Sequence, residues 1–330
     1  MTVSWQPSCP IEHLRTRAQM LAAIRRFFEA RDVLEVETPL LCPATGTDPQ
    51  LDFFSSQFNF PPNRPTLFLQ TSPEFAMKRL LAAGSGSIYQ VCKAFRNGEA
   101  GRYHNPEFTI LEWYRVGYDL RQLMVEVAEL LQQLLQSFSA VLPTKQISYQ
   151  QLFLDSTGLD PLIFSVEDYR DCAAANSLPE AVELCGDDHA LWLDFIFSHR
   201  VQQMMDKDTI YLLHGYPAIQ SSLARLNVDD SRISERFEVF INGVELGNGF
   251  YELADPLEQE ARFDKEIAYR LSHGLPAVAK DDAFLQALKF GLPDCSGVAI
   301  GLDRLLMIAL GSASISDVLA FPVAPFEAKS

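Results

Sequence analysis

The chain has 330 residues, 48% of them hydrophobic, and 43 acidic against 27 basic residues give a formal net charge of −16. Such a composition can bury a substantial core, holds no apolar run of the ~18 residues that a membrane helix needs, and lacks the basic stretch typical of proteins that grip nucleic-acid phosphates; it suits a basic partner or a small cationic substrate better. The six cysteines (Cys9, Cys42, Cys92, Cys172, Cys185, Cys295) form no Cys-x-x-Cys pair, so neither a zinc site nor a disulfide framework is indicated, and the first ten residues carry no signal-peptide pattern, which makes the cytoplasm and one domain over 1–330 the expectation.

Between residues 17 and 30, Met20, Leu21, Ile24, Phe27 and Phe28 recur at helical spacing and predict an amphipathic helix. Val33-Leu34-Glu35-Val36 alternates as a strand, and Pro39 ends it or marks an edge. Residues 42 to 65 are rich in Pro, Thr, Asp and Asn and read mostly as loop. Thr71-Ser72-Pro73-Glu74 looks like a helix start, with a hydroxyl cap, an early proline and a glutamate three residues after Thr71. Residues 88 to 95 and 108 to 114 read as strands flanking a polar, glycine-containing loop. Asp119 is placed to cap a long amphipathic helix through Leu123, Val127, Leu130, Leu131 and Leu134. Residues 140 to 205 read as mainly helical and carry no legible motif, and a strand is predicted at 209 to 213. Two β-prone runs, 237 to 241 and 244 to 250, flank Asn242-Gly243, the strongest short hairpin signal. A helix follows at 280 to 291, then a buried strand at 297 to 301 that leads into a helix at 303 to 307.

Helices interleaved with hairpin strands indicate an α/β domain of the α+β kind, an antiparallel sheet flanked by helices. No Gly-x-Gly-x-x-Gly follows a strand and there is no Walker loop, so a nucleotide would need another architecture. Three segments concentrate reactive side chains: Phe95 to Phe108, Glu245 to Phe250, and Gly297 to Arg304. With Asn242-Gly243 as a two-residue turn, Phe240 pairs with Glu245 and Glu238 with Gly247, which puts Glu238 and Glu245 on one face, where a cation would offset their repulsion. Each residue also has a plainer reading. Glu74 fits a capping box, His104 an exposed loop, Phe108 the core, and Arg96 and Arg304 ordinary ion pairs.

Phe95-Arg96-Asn97-Gly98-Glu99 through His104-Asn105-Pro106-Glu107-Phe108 resembles motif 2 of class II aminoacyl-tRNA synthetases, and Gly297-Val298-Ala299-Ile300-Gly301-Leu302-Asp303-Arg304 resembles motif 3. The first helix with Leu34-Glu35-Val36-Glu37-Thr38-Pro39 is similar to motif 1, the dimer element. Glu245-Leu246-Gly247-Asn248-Gly249-Phe250 is similar to lysyl-tRNA synthetases in particular, and matches run in order from about residue 10 to 325. The resemblance implies the class II catalytic fold, a homodimer, ATP and magnesium. It implies Arg96 on the α-phosphate and the amino-acid carboxylate, Arg304 on the γ-phosphate, His104 facing the terminal phosphates, and Phe108 with Asn105 at adenine. Gly301 lies in the same nucleotide site. Glu238 and Glu245 become magnesium ligands. Guanidinium suits both phosphate tasks, being always charged and forking two donors onto oxyanions. For the amino acid the resemblance implies Tyr114 and Glu252 at the side-chain ammonium, Glu74 (with Ser72 beside it) at the α-amine, and Asn248 near the carboxylate. A regular strand would turn Asn248 and Glu252 away from Glu245, so an irregularity, a bulge, is predicted at Gly247-Asn248-Gly249.

The family's adenine-facing glutamate, two residues after the motif 2 arginine, is Gly98 here. Either Glu99 takes its place or adenine is held by backbone and Phe108. A tRNA-charging lysyl synthetase carries an N-terminal anticodon-binding barrel, whereas here motif 1 starts by residue 20, so no such barrel is expected. The motifs, with Thr71 to Leu80, Leu111 to Arg115 and Leu292 to Ala299, also resemble the lysyl-synthetase paralogues that act on elongation factor P. This implies adenylation of (R)-β-lysine, or lysine, and transfer to the ε-amine of one lysine on elongation factor P, with tRNA and membrane not involved. Ala299 stands where lysyl synthetases usually have glycine, and its methyl is expected to reshape the pocket floor. The alternatives are a truncated tRNA-charging enzyme and a non-catalytic paralogue that binds or regulates.

Overall fold

The computed structural model describes residues 5–59, 61–136, 138 and 141–323. In chain order the elements are α1 (Ile11–Glu29), β1 (Leu34–Glu35), β2 (Leu41–Cys42), β3 (Ser55–Gln57), β4 (Thr66–Leu69), α2 (Glu74–Ala82), β5 (Ile88–Phe95), β6 (Glu107–Val116), α3 (Leu120–Leu135), β7 (Thr144–Ser148), α4 (Tyr149–Thr157), α5 (Val166–Ala175), α6 (Ala181–Cys185), α7 (His189–Ile196), β8 (Ile210–Pro217), β9 (Ile233–Ile241), β10 (Val244–Tyr251), α8 (Pro256–Ser272), α9 (Asp282–Phe290), β11 (Cys295–Gly301) and α10 (Leu302–Ala309). They fall into two compact units: Met1–Tyr118 with Gln133–Ser139 and Ala254–Ser330, and Asp119–Gln132 with Ala140–Leu253.

The first unit is built on four strands in the order β1-β5-β6-β11. β5, β6 and β11 are antiparallel, while the outer β1 runs parallel to β5, a departure from the purely antiparallel expectation. α1 starts at Ile11, earlier than the apolar periodicity, and buries Met20, Ile24, Phe27 and Phe28 as that periodicity demands. Each such side chain contributes roughly 1.5–3 kcal/mol on burial, and Phe28 also stacks on Tyr89 of β5 at 4.3 Å between centroids. The stretch expected to be loop at 42 to 65 holds part of a three-stranded sheet, β2-β4-β3. Its strands are too short for a period-2 pattern to emerge. α2 begins at Glu74 with Pro73 at the cap and no side-chain cap there, so the capping box from Thr71 does not form; Ser72 Oγ accepts from Glu74 N at 3.1 Å instead. The proline at the cap position sets φ but offers no acceptor side chain.

The second unit has four strands in the order β10-β9-β8-β7. β8, β9 and β10 are antiparallel and β7 is parallel to β8. Asp119 Oδ1 accepts from Gln122 N at 2.8 Å, the cap predicted for α3. The stretch from 141 onward opens on β7 and is then helical through α4–α7, around a core that includes Tyr149, Phe153, Tyr169, Trp192 and Phe240. Asn242 (φ 55°) and Gly243 (φ 69°) both take the left-handed conformation that a tight hairpin turn requires.

That hairpin contains the predicted irregularity, displaced toward the turn. Glu245 pairs with Phe240, the register then shifts between Glu245 and Gly247, and Asn248 pairs with Glu238. Glu238 therefore lies opposite Asn248, not Gly247. The extra residue, Leu246, is itself buried, which supplies the drive for the bulge at that position. One added residue inverts strand parity, so Glu245, Asn248 and Glu252 reach a common face, as does Glu238.

Candidate functional site

In the first unit, strand register assembles a polar cluster on one sheet face. Glu112 and Tyr114 are two apart on β6 and share that face. Across from them the residues are small: Ala299 of β11 pairs with Glu112, Gly297 with Tyr114 and Gly301 with Ile110. Glu112 is 2% exposed and accepts from Ser72 Oγ at 2.8 Å and from Tyr114 Oη at 2.7 Å. Lys78, fully buried one turn after Glu74, donates to Glu74 Oε1 at 2.6 Å. Burial pushes the Glu112 carboxyl up to about 8, and the neighbouring Glu74 charge adds to this. The hydroxyls of Tyr114 and Ser72 and the Lys78 charge oppose the shift. Two neighbouring carboxyl groups with one buried lysine beside Glu74 fit a ligand that brings a positive charge and favours ionisation of Glu112.

The loop after β5 carries the cationic part. Arg96 lies 3.6 Å from Glu99 and its guanidinium sits 5.1 Å from the Phe108 ring centroid. Its Nε is buried and meets no acceptor among the described residues, an orphaned donor of the kind a bound anion satisfies. Gly98 holds φ 76°, which lets the loop turn there and places Glu99 beside Arg96 and 3.9 Å from His104. Arg304, near the start of α10, donates through Nε to Tyr103 O at 3.0 Å and approaches His104 Nε2 at 2.6 Å. A guanidinium only donates, so Nε2 is the acceptor in this contact. Asn105 is buried; it donates to Glu107 O at 2.6 Å and accepts from Val323 N at 3.1 Å. Asp303, beside Arg304 and 1% exposed, accepts from Thr109 N at 2.7 Å and Arg17 at 2.5 Å, tying α10 to β6 and α1.

In the second unit, Glu238 of β9 accepts from Tyr216 Oη at 2.6 Å and from Arg236 at 2.5 Å. Arg236 Nε donates to Asn248 Oδ1 at 3.0 Å. Burial pushes Glu238 up to about 7 despite the Arg236 charge, and Glu245 adds to the rise. Glu252, 1% exposed, accepts through its backbone carbonyl from Arg225 at 3.1 Å. No group of three or more His, Cys, Asp or Glu poised to hold a metal exists among the described residues. Glu238 and Glu245 are only two carboxylates, and Glu238 already accepts through both oxygens from Tyr216 and Arg236, so a magnesium ion held here would complete its shell from phosphates and water.

The expected residues divide as follows. Ser72, Glu74, Arg96, Glu99, His104, Asn105, Phe108, Tyr114, Ala299, Gly301 and Arg304 belong to the first unit, and Glu238, Glu245, Asn248 and Glu252 to the second. Sequence reading passed over Glu112, Lys78, Tyr216 and Arg236. Glu112 had a usable signal, a lone carboxylate within the otherwise apolar Ile110 to Tyr114. Lys78 had another, its i,i+4 spacing from Glu74.

The sequence signature described as tRNA synthetases class II (D, K and N) matches residues 9–325. The chain is 49% identical over 324 residues to the elongation factor P–(R)-beta-lysine ligase of Yersinia enterocolitica, covering 98% of each chain. Ligases of the same name from Yersinia pestis and Yersinia pseudotuberculosis match at the same identity and coverage. No helix among the described residues is long and apolar enough to cross a membrane.

Proposed function

The chain belongs to the class II tRNA synthetases of the D, K and N group, and on that premise we propose that it activates (R)-β-lysine with ATP and joins it to the ε-amine of a lysine on elongation factor P. Glu112 carries the amino-acid side of this reading. A buried carboxyl held by two hydroxyl donors, facing small residues and next to a second carboxylate, is built to receive an ammonium group. The family resemblance assigns Tyr114 and Glu252 to the side-chain amine, Glu74 with Ser72 to the other amine, and Asn248 to the carboxylate.

In the first step the substrate carboxylate attacks the α-phosphorus of ATP and pyrophosphate leaves. Two anions must approach, and cations in a dry site lower that barrier most. Arg96, with its orphaned Nε, takes the α-phosphate and the incoming carboxylate. Arg304 takes the γ-phosphate with His104 at its side. Phe108 lies under adenine with Asn105 in the adjoining backbone, Glu99 stands in for the family's missing glutamate at Gly98, and Gly301 keeps the strand end clear. Magnesium, when held by Glu238 and Glu245, supplies charge neutralisation on the phosphates. In the second step a deprotonated lysine ε-amine of the acceptor attacks the adenylate carbonyl, an amide forms, and AMP leaves.

The continuous family match over 9–325 supports both units serving one catalytic activity. We further infer a cytoplasmic homodimer through α1 and β1. ATP–pyrophosphate exchange with α-lysine and (R)-β-lysine, followed by transfer to elongation factor P or to tRNA, tests the proposal. Exchange with β-lysine and labelling of elongation factor P are expected. Exchange with no amino acid, or labelling of tRNA alone, overturns it.

A further inference from the structure

An asparagine amide is nearly symmetric in shape, but its two ends are opposite in function: one accepts, the other donates. Which end faces a ligand decides whether a carboxylate is welcomed or rejected. Arg236 Nε lies 3.0 Å from Asn248 Oδ1, and a guanidinium can only donate. The acceptor end of Asn248 is thereby engaged, and the NH2 end is the one presented elsewhere.

Arg236 is itself held on several sides. It donates to Gln220 O at 2.6 Å and to Glu238 Oε1 at 2.5 Å, and its plane lies 4.6 Å from the Tyr216 ring centroid. Gln220 in turn donates to Asp194 Oδ1 of α7 at 2.6 Å. The guanidinium is a fixed plate whose geometry a lysine cannot copy, because a single ammonium does not span three separated acceptors. The pairing also depends on the bulge at Leu246, which places Asn248 across from Glu238.

We propose that Arg236 is a specificity-determining positioning residue: it locks the Asn248 amide with its donor end outward, so that the site favours an amino-acid carboxylate, which accepts a charge-assisted hydrogen bond at either oxygen, over the corresponding carboxamide, which offers a single neutral carbonyl acceptor. This rests on the reading above, in which Asn248 meets the substrate carboxylate. The selection matters chemically, because only a carboxylate can attack the α-phosphorus productively.

The test measures dissociation constants of (R)-β-lysine and its carboxamide by calorimetry, without ATP or metal. It uses the full chain and its Arg236→Lys, Asn248→Ala and doubly substituted forms. Arg236→Lys retains the positive charge and removes only the fork. The preference for carboxylate over carboxamide is expected to fall by at least about tenfold in Arg236→Lys, since a site that loses its matched donor loses discrimination of this order. In the Asn248→Ala background, Arg236→Lys is expected to change the preference no further. A preference unchanged in Arg236→Lys means that charge alone selects the carboxylate and overturns the inference. An equal fall in both backgrounds overturns it too, because the effect then does not pass through Asn248. Failure of the unsubstituted protein to bind either lysine or β-lysine instead removes the functional reading, and this inference with it.

Discussion

Substrate binding should release a proton, and Glu112 is its source. Its carboxyl is pushed up from 4.5 to about 8, first by burial and second by Glu74. At neutral pH it is therefore largely protonated in the empty protein. An ammonium docked against it favours the ionised form, so binding an amine at pH 7 expels most of one proton. Affinity is then reduced by the protonated fraction. For a group raised this far and ionised in the complex, the apparent dissociation constant should tighten at least about tenfold between pH 6 and 8.5. The same shift acts on the empty fold with the opposite sense. A raised carboxyl holds its proton in the folded state, so its contribution to stability is complete below about 4.5 and is lost as pH rises toward 8. Calorimetric titrations with (R)-β-lysine in buffers of different ionisation enthalpy read both the affinity and the protons released. Glu238, pushed up to about 7, titrates in the same range, so Glu112→Gln is the required comparison. That variant should lose the Glu112 share of proton release and most of the slope. A flat affinity over pH 6 to 8.5, or an undiminished slope in Glu112→Gln, refutes the reasoning.

Lys78→Met leaves Glu74 without its 2.6 Å partner, beside a second buried carboxyl. Urea unfolding should show a loss of about 3–5 kcal/mol, and a loss below about 1 kcal/mol would mean the pair carries no structural weight. Gly98→Ala meets no atom within 4 Å, so its cost comes only from φ 76°. That predicts a loss of roughly 1–2 kcal/mol and a raised Michaelis constant for ATP; an unchanged pair of values would show that the loop relaxes freely. Ala299→Gly removes the methyl directly across from Glu112. It should shift the preference from β-lysine toward α-lysine in pyrophosphate exchange, and an unchanged preference counts against the pocket-floor role.

Local chemistry was legible wherever a turn or cap is encoded by adjacent residues. Asn242-Gly243 fixed the hairpin, and Asp119 fixed the start of α3. The bulge could be inferred from parity, because Glu245 and Asn248 needed one face, but its place could not. Leu246 is the inserted residue because its side chain gains burial there, and burial is decided by packing that spans the fold. The short strands β2 and β3 escaped for a similar reason. Two or three residues establish no period, and only pairing with β4 defines them. Glu112 was missed although its neighbour Tyr114 was named. Its meaning depends on Ser72 and Glu74, some forty residues earlier, and on the small residues of β11.

These contacts also explain how so acidic a chain can handle ATP. Arg96 and Arg304, assigned to the reaction, and the positioning Arg236 each already have a local partner: Arg96 has Glu99, Arg304 has His104, and Arg236 has Glu238. Their strengths differ with burial. Arg96 and Glu99 are each 28% exposed in their side chains, so the pair is weak and water-screened. On the proposed reading, phosphate displaces Glu99 at little cost, and Nε gains the acceptor that it lacks. Arg236 and Glu238 are more buried, tightly paired and further braced by Tyr216, Gln220 and Asn248. Breaking that pair would strand a charge, which costs several kcal/mol. On the proposed roles, the arginine that exchanges partners is held loosely, and the arginine that orients the Asn248 amide is held firmly. Net charge says little about such a site, since within a few ångströms the partner of each group outweighs the distant remainder, which salt screens beyond about 8–10 Å.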